Sequence, residues 1–258
     1  MPDLASVLEQ ARVPEHSAPF MQAMSQGTAF LEGEYLFLTA DDWLMAIGYP
    51  LSGEYAHDSF ERALAAALRR VPKRLEGVDC WAIGPDLPAR LAGHVTDRDT
   101  FYILPCDAPV PARLRRPVEI AAEKLTVREG RDFMNRAVLP PNVRGLFART
   151  GAVLDTPGLR LLDAVDAEGN LAASLLLDDA PRRFCSYLIG AHSRTHYTPH
   201  AADLLFAHML RSAREADKEY VHLGLGVNDG IRRFKTKWGG RPALPYVMAS
   251  WRETPRET

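Results

Sequence analysis

Apolar and polar positions alternate in short stretches along most of the chain, broken by a few longer runs with helical spacing. "EYLFLTADDWLMAIGYP" holds two apolar runs, 35–38 and 43–47, joined by Thr-Ala-Asp-Asp, and predicts a hairpin. "HDSFERALAAALRRVP" follows with Asp58 or Ser59 as N-cap, an Ala/Leu interior, basic residues in its last turn and Pro72 as a stop. Strands are expected at 80–83 and 100–104, with a short helix around 88–91 between them. Ahead of all this, residues 1–30 read as one or two short helices broken at Pro14 and Pro19.

"PCDAPVPARLRRP" carries Pro105, Pro109, Pro111 and Pro117, a density that resists both helix and central strand. It predicts an extended linker and a domain boundary at residue 115, giving units 1–115 and 116–258. The second unit opens with helical segments at 128–137 and 143–150 around "LPPN". "LRLLDAVDAEGNLAASLLLDD" is a hairpin turning at Glu168-Gly169-Asn170, and "RRFCSYLIGAHS" is a third strand. "HAADLLFAHMLRSAREADK" is amphipathic, with Leu204, Leu205, His208, Met209 and Ala213 on one face, so His208 reads as a core histidine. A strand at 220–225, a helix and a last strand "LPYVMASW" complete the pattern. Each half runs hairpin, long helix, strand, short helix, strand. That order is either an internal duplication or two arrangements sharing common connections.

Composition changes this picture little. The 258 residues leave room for two cores, domains being typically ~100–150 residues. Lys and Arg number 31 against 33 Asp and Glu, a net charge of −2 that excludes a general nucleic-acid or anionic-membrane binder. Any positive field must be local. Cys80, Cys106 and Cys185 form no CxxC and lie in or beside apolar runs, so buried reduced thiols and a cytoplasmic location are expected. "MPDLASVLEQ" has neither the basic start nor the apolar core of a signal peptide. Apolar segments such as 171–177 fall short of the ~20 residues of a membrane span, so no membrane partner is expected.

The chemistry concentrates in "LGLGVNDGIRRFKTKWGG", residues 223–240. Its glycines follow a strand and precede a helix, yet their spacing is one residue longer than the dinucleotide fingerprint, and backbone freedom at a strand exit explains them. On the helix, Ile231, Phe234 and Trp238 fall within about 60° of one another and form an apolar stripe, while Arg232, Arg233 and Lys237 face away. Lys235 flanks the stripe. It either snorkels along the Phe or Trp ring or points inward as a cation that stabilises a phosphate or oxyanion.

"GLGVNDGIRRFKTKWGG" resembles the C-terminal signature of the FemAB-like acyltransferases of the GNAT-fold superfamily, where a strand ending in glycine leads to a helix bearing Phe-Lys-x-x-Trp-Gly. The hairpin, third strand and long helix before it are similar to the order of that fold, over about residues 125–250. The resemblance implies an α/β protein of tandem GNAT-like domains with mixed central sheets flanked by helices, the N-terminal one degenerate. It implies that Lys235 meets the donor's negative charge, and that Gly239 and Gly240 are structural. It also implies an acyl-CoA or aminoacyl-tRNA donor. The near-neutral charge weighs against tRNA, whose footprint usually needs a basic stripe.

A GNAT acyl-CoA site expects an Arg/Gln-x-x-Gly-x-Gly/Ala loop whose amides open a helix. The corresponding "RTHYTPHAADLL" has Arg194 but no glycine, with Pro199 where donors should lie. Anion binding is then expected from Arg194, His200 and the amides around Ala201, with Asn228 facing the donor from the glycine loop. His192, His196 and His200 crowd nine residues. His196 or Tyr197 is expected to handle the amine proton, with Asp203 as a further candidate. His196 and His200 have metal-like spacing, but Pro199 stands between them and no metal is expected. These readings predict an acyltransferase acting on a small-molecule or peptide amine. A non-catalytic module that has lost donor binding is the alternative.

Overall fold

The computed structural model describes residues 4–71, 77–130 and 153–254. The helix expected at 143–150, and all but the start of that expected at 128–137, lie outside these residues. Contact between elements divides the chain into two compact units. One comprises Met1–Phe101, Leu225–Val227 and Pro242–Thr258, the other Tyr102–Gly224 and Asn228–Arg241.

The first unit begins with α1 (Leu4–Glu9), a 3-10 turn (Pro14–His16) and α2 (Ala18–Ser25). Pro19 starts α2 rather than breaking it, as its missing N–H costs nothing in a first turn. β1 (Thr28–Glu32), β2 (Tyr35–Ala40) and β3 (Trp43–Ile47) form an antiparallel meander that includes the expected hairpin. α3 (His57–Arg70) then crosses to β4 (Val78–Gly84), which pairs parallel with β3. α3 buries Phe60, Ala63, Leu64 and Ala67, one face at helical spacing, and starts a residue earlier than Asp58, with Ala56 at the N-cap. A 3-10 turn (Ala89–His94) leads into β5 (Val95–Pro105). The edge of β4 is completed by the last strand, β11 (Arg241–Glu253), antiparallel from Val247↔Gly84 to Glu253↔Val78.

β5 passes between units at Phe101, fourteen residues ahead of the expected boundary at 115. The proline-rich stretch after it is not a linker. Pro111 caps α4 (Ala112–Ala122), and Pro117 sits inside that helix. An interior proline costs roughly 3 kcal/mol. Burial of Leu114 and Ala121 works against that cost, and so do hydrogen bonds that tie the stretch to its own unit. Cys106 N donates to Glu219 O at 2.9 Å, and the Arg214 guanidinium donates to the carbonyls of Cys106 and Ala108. Tertiary contacts override the local preference of the prolines.

In the second unit, β6 (Thr126–Glu129) occupies the start of the segment expected to be helical from 128. It pairs with β7 (Leu159–Val165), which forms the expected hairpin with β8 (Leu171–Asp178), and β9 (Phe184–His192) follows antiparallel. α5 (Ala201–Glu215) then crosses to β10 (Tyr220–Leu225), parallel to β9, and α6 (Asp229–Lys237) closes the unit. α5 buries Leu204, Leu205, Phe206, Met209, Leu210 and Ala213. Each contributes roughly 1.5–3 kcal/mol if fully buried and large. His208 is not in that core. It is partly exposed, and its Nδ1 lies 2.8 Å from the Arg211 guanidinium.

β1–β2–β3–α3–β4 and β7–β8–β9–α5–β10 therefore share one connectivity: three antiparallel strands, a helix, and a strand parallel to the third. The three cysteines are free and buried. Burial pushes the Cys80 thiol up to about 12 and the Cys106 thiol up to about 11, which removes both as thiolate nucleophiles. Among the described residues no helix is long and apolar enough to cross a membrane.

Candidate active site

The two parallel pairs differ in one respect. β3 and β4 stay in register from Trp43↔Asp79 to Ile47↔Ile83, and Gly48 N extends the ladder to Ile83 O at 2.6 Å. The register of β9 with β10 runs only from Phe184↔Tyr220 to Ser186↔His222. There β9 bulges, since Leu176 and Leu177 face Ile189 and Tyr187 and leave Leu188 as an extra residue. A bulge bends its strand and increases twist. β10 turns away at Gly224, whose φ of +71° suits glycine. Past Ser186 and His222 the ladder has no further pairs, and this parting of β9 and β10 is the gap between Tyr187 and Gly224.

α6 delivers a cation to that gap. Asn228 caps the helix, its Oδ1 accepting from Ile231 N at 3.0 Å. At the other end, a Cβ on Gly240 would lie 2.6 Å from Leu223 Cδ1 and 2.9 Å from Lys235 O, so glycine lets the helix end press against β10. Trp238 is fully buried, with its ring centroid 4.5 Å from that of Phe206. Ile231, expected on the same stripe, is exposed, because α6 packs through its C-terminal half. Lys235 is only 4% exposed. Its Nζ lies 5.6 Å from the centroid of the Tyr102 ring and 3.9 Å from where a Cβ of Gly224 would be, while that same position is 3.8 Å from Tyr187 O. Lys237, expected to face away, lies over the Phe234 ring at 5.0 Å. Of the two lysines, Lys235 points inward.

Buried His222 faces the same charge. Burial first, and the Lys235 ammonium second, push its pKa down to about 3. Gly224 N donates to its Nδ1 at 3.2 Å, which selects the tautomer protonated on Nε2. The imidazole is thus neutral at physiological pH and holds the backbone of the strand exit. The Tyr187 hydroxyl is pushed up to about 12 by burial.

A second cluster lies at the start of α5. Asp203 is 4% exposed; its Oδ1 accepts from Trp238 Nε1 at 3.0 Å and pairs with Lys237 Nζ at 2.6 Å. Its Oδ2 lies 3.2 Å from His200 Nδ1. His200 is the N-cap, held at φ +65°, and Ala201 is buried behind it with its N–H on Thr198 O at 3.3 Å.

The remaining expected residues form a group of their own. Arg194 is exposed. His196 N donates to Ser193 Oγ at 2.8 Å, and its ring is near enough to Asp166 to help hold that carboxyl low, after the hydrogen bonds from Asn170 and the local backbone. Tyr197 is 63% exposed, with its ring edge on His192 at 5.7 Å between centroids. His192 is five residues up β9 from Tyr187, about 16 Å of extended strand. The structure thus brings Lys235 together with Gly224, Tyr102 and His222, and His200 with Asp203, while Tyr197 sits with His192. Sequence reasoning passed over His222 and Tyr102. His222 interrupts the apolar run "YVHLGL" two residues before Gly224, and that interruption was the available signal. Among the described residues, no three His, Cys, Asp or Glu side chains are arranged to hold a metal.

Residues 107–236, just over half of the chain, match the family described as Acetyltransferase (GNAT) domain, and the chain belongs to that family. The fold is similar to that of FemX, with a TM-score of 0.62 at 11% identity over 95% of this chain and 94% of that one. It is similar to a tandem GNAT protein from the clavulanic acid biosynthesis pathway, with a TM-score of 0.55 at 14% identity over 98% and 96%. L-PGS from Bacillus licheniformis gives 0.55 at 13% identity over 98% and 92%. At such identities the likeness is one of fold. No curated protein matches the chain.

Proposed function

We propose that the second unit is an acyltransferase that moves an acyl or aminoacyl group from an activated donor, acyl-CoA in the first instance, onto the amine of a small molecule or peptide. The observation that carries the reading is the Lys235 ammonium, buried at the gap where β9 and β10 part. When the amine nitrogen attacks the acyl carbonyl, a C–N bond forms and negative charge gathers on oxygen. A fixed ammonium in a low-dielectric gap stabilises that charge without reorganisation. The donor's acyl bond then breaks and its leaving atom departs with the electron pair, and Lys235 serves that charge equally.

The amine must also lose a proton. His222 is a poor base, with its pKa at about 3 and Nδ1 engaged by Gly224. His196 and Tyr197, on the loop leading into α5, sit with Asp166 and His192, about 16 Å of strand from the gap, so they do not take this proton directly, and it leaves through water. Arg194 and the amides around Ala201 meet donor phosphate, with His200 at the cap. Asn228 contributes by fixing the start of the helix that carries Lys235. The donor site lies in the second unit alone, because in the first unit Gly48 and Gly84 close the equivalent strand ends. A Cβ on Gly48 would lie 2.8 Å from Ile83 O and 3.4 Å from Gly84 Cα.

One observation favours a non-catalytic binding module. The first turn of α5 already holds its own carboxylate, Asp203, where donor phosphate would come. Thermal shift with acetyl-CoA, longer acyl-CoAs and free CoA separates the two. A donor at 100 times its dissociation constant adds roughly 2.7 kcal/mol of stability. Stabilisation by an acyl-CoA, followed by transfer to an amine, supports the enzyme. A flat response across the panel removes CoA as donor and leaves the aminoacyl donor and the binding module.

A further inference from the structure

A buried carboxylate is costly unless it is paired and hydrogen-bonded, by several kcal/mol per ion. Asp203 meets that condition with partners from two places. Trp238 and Lys237 are consecutive residues at the end of α6, and His200 ends the loop before α5. α6 has nine residues, too few to be stable alone, and its N-terminal half is exposed. Its seat in the unit rests on Phe234, Lys235 and Trp238. The ring contact with Phe206 holds the indole by area, which is non-directional. The Asp203 bond to Nε1 fixes it by direction.

Lys235 precedes Trp238 by three residues and lies about 60° from it around the helix. A roll of α6 that released the indole would carry the Lys235 ammonium out of the gap and toward water, where an ammonium is better solvated. Something must oppose that roll. We propose that Asp203 is a positioning residue, which clamps the last turn of α6 to the first turn of α5 and thereby keeps Lys235 at the gap between β9 and β10. Its pairing with Lys237 also holds the neighbouring ammonium in the same clamp. Through His200 the same carboxylate links the donor loop to the lysine. The functional sense of the clamp rests on the acyl-transfer reading; the clamp itself does not.

Amine labelling of the intact chain tests it without any substrate. Reductive methylation followed by peptide mass spectrometry gives the rate at each lysine, with exposed Lys124 as internal reference. In the unaltered protein Lys235 should label about tenfold or more slowly than Lys124, as protection follows the free energy of local opening. Asp203→Asn and Asp203→Ala should raise the Lys235 rate by about tenfold with Lys124 unchanged, and Asp203→Glu should restore part of the protection. If the Asp203 variants do not fold, Trp238→Phe removes the N–H donor together with part of the buried ring, and should also raise the Lys235 rate. Unchanged Lys235 labelling in any folded variant lacking the Asp203–Trp238 bond overturns the clamp and leaves the acyl-transfer reading standing. Faster labelling together with a flat CoA panel keeps the clamp and sinks the CoA donor.

Discussion

Gly224 leaves space for Lys235: a Cβ at residue 224 would lie 3.9 Å from the lysine Nζ, at a backbone φ of +71° that other residues adopt at a cost. Gly224→Ala should therefore lower stability by about 1 kcal/mol through the left-handed backbone alone. The added methyl also narrows the approach to the ammonium, so donor affinity should weaken by more than that backbone strain accounts for. Melting temperature and donor titration, measured on one preparation, separate the two effects.

Lys235→Met keeps the length of the side chain and removes its charge. The variant should fold, since the Trp238 contacts with Phe206 and Asp203 that seat the helix end remain. Transfer from an acyl donor to an amine should fall about 10²–10³-fold, the usual loss when one oxyanion donor is removed. Full activity in the folded variant would take away the role given to Lys235.

His222 makes stability depend on acidity. Its pKa is about 3 in the folded chain and near 6.5 when unfolded, so the unfolded chain takes up the proton first. Stability present above pH 6.5 should be lost as pH falls toward 3, at roughly 1 kcal/mol per pH unit. His16 in the first unit, lowered to about 4 chiefly by burial, acts in the same sense; buried Glu15, raised to about 7 by burial, acts in the opposite sense as pH rises from 4.5. His222→Asn, whose amide oxygen can replace Nδ1 as acceptor from Gly224, isolates the one contribution. The stability gap between parent and variant, read by urea unfolding, should shift in the variant's favour as pH falls from 6.5 toward 4.

Gly48→Ala tests the contrast between the units. Its Cβ would meet Ile83 O at 2.8 Å and Phe60 Cζ at 3.2 Å, forcing apart two strands that are zipped together. Such overpacking costs typically 1–3 kcal/mol. Unfolding should shift by that amount while donor binding per folded molecule stays unchanged. A loss of binding would mean that the first unit takes part in the donor site.

Much of this fold could be read from local pattern. Both hairpins, α3, α5 and the strand at β10 announce themselves through alternation, helical spacing and turn residues, all of which act over a few positions. The prolines of 105–117 misled because their penalty is local, whereas Leu114, Ala121 and the carbonyls bonded by Arg214 reward the helix through residues about a hundred positions away. The same limit applies at the site. Phe-Lys-x-x-Trp pointed to Lys235, but not to which side of the stripe would be buried, and so Ile231 was misplaced. Asp203 and Trp238 are 35 residues apart, and nothing in either neighbourhood names the other. The gap itself depends on where two strands cease to pair, which is a property of register and bulge rather than of any one residue.

β11 has a consequence for how the protein is made. Val247 and Ala249 lie in the core with Phe37, Phe60 and Cys80, and the strand covers the edge of β4, although more than 150 residues of chain separate them. A ribosome releases the N-terminal segment long before this partner exists. The nascent first unit must wait with an open hydrogen-bonding edge, a known invitation to wrong pairing. Removing residues after 240 should strand it in that state, so that a short C-terminal deletion appears as aggregation of the N-terminal part and not as loss of an appendage.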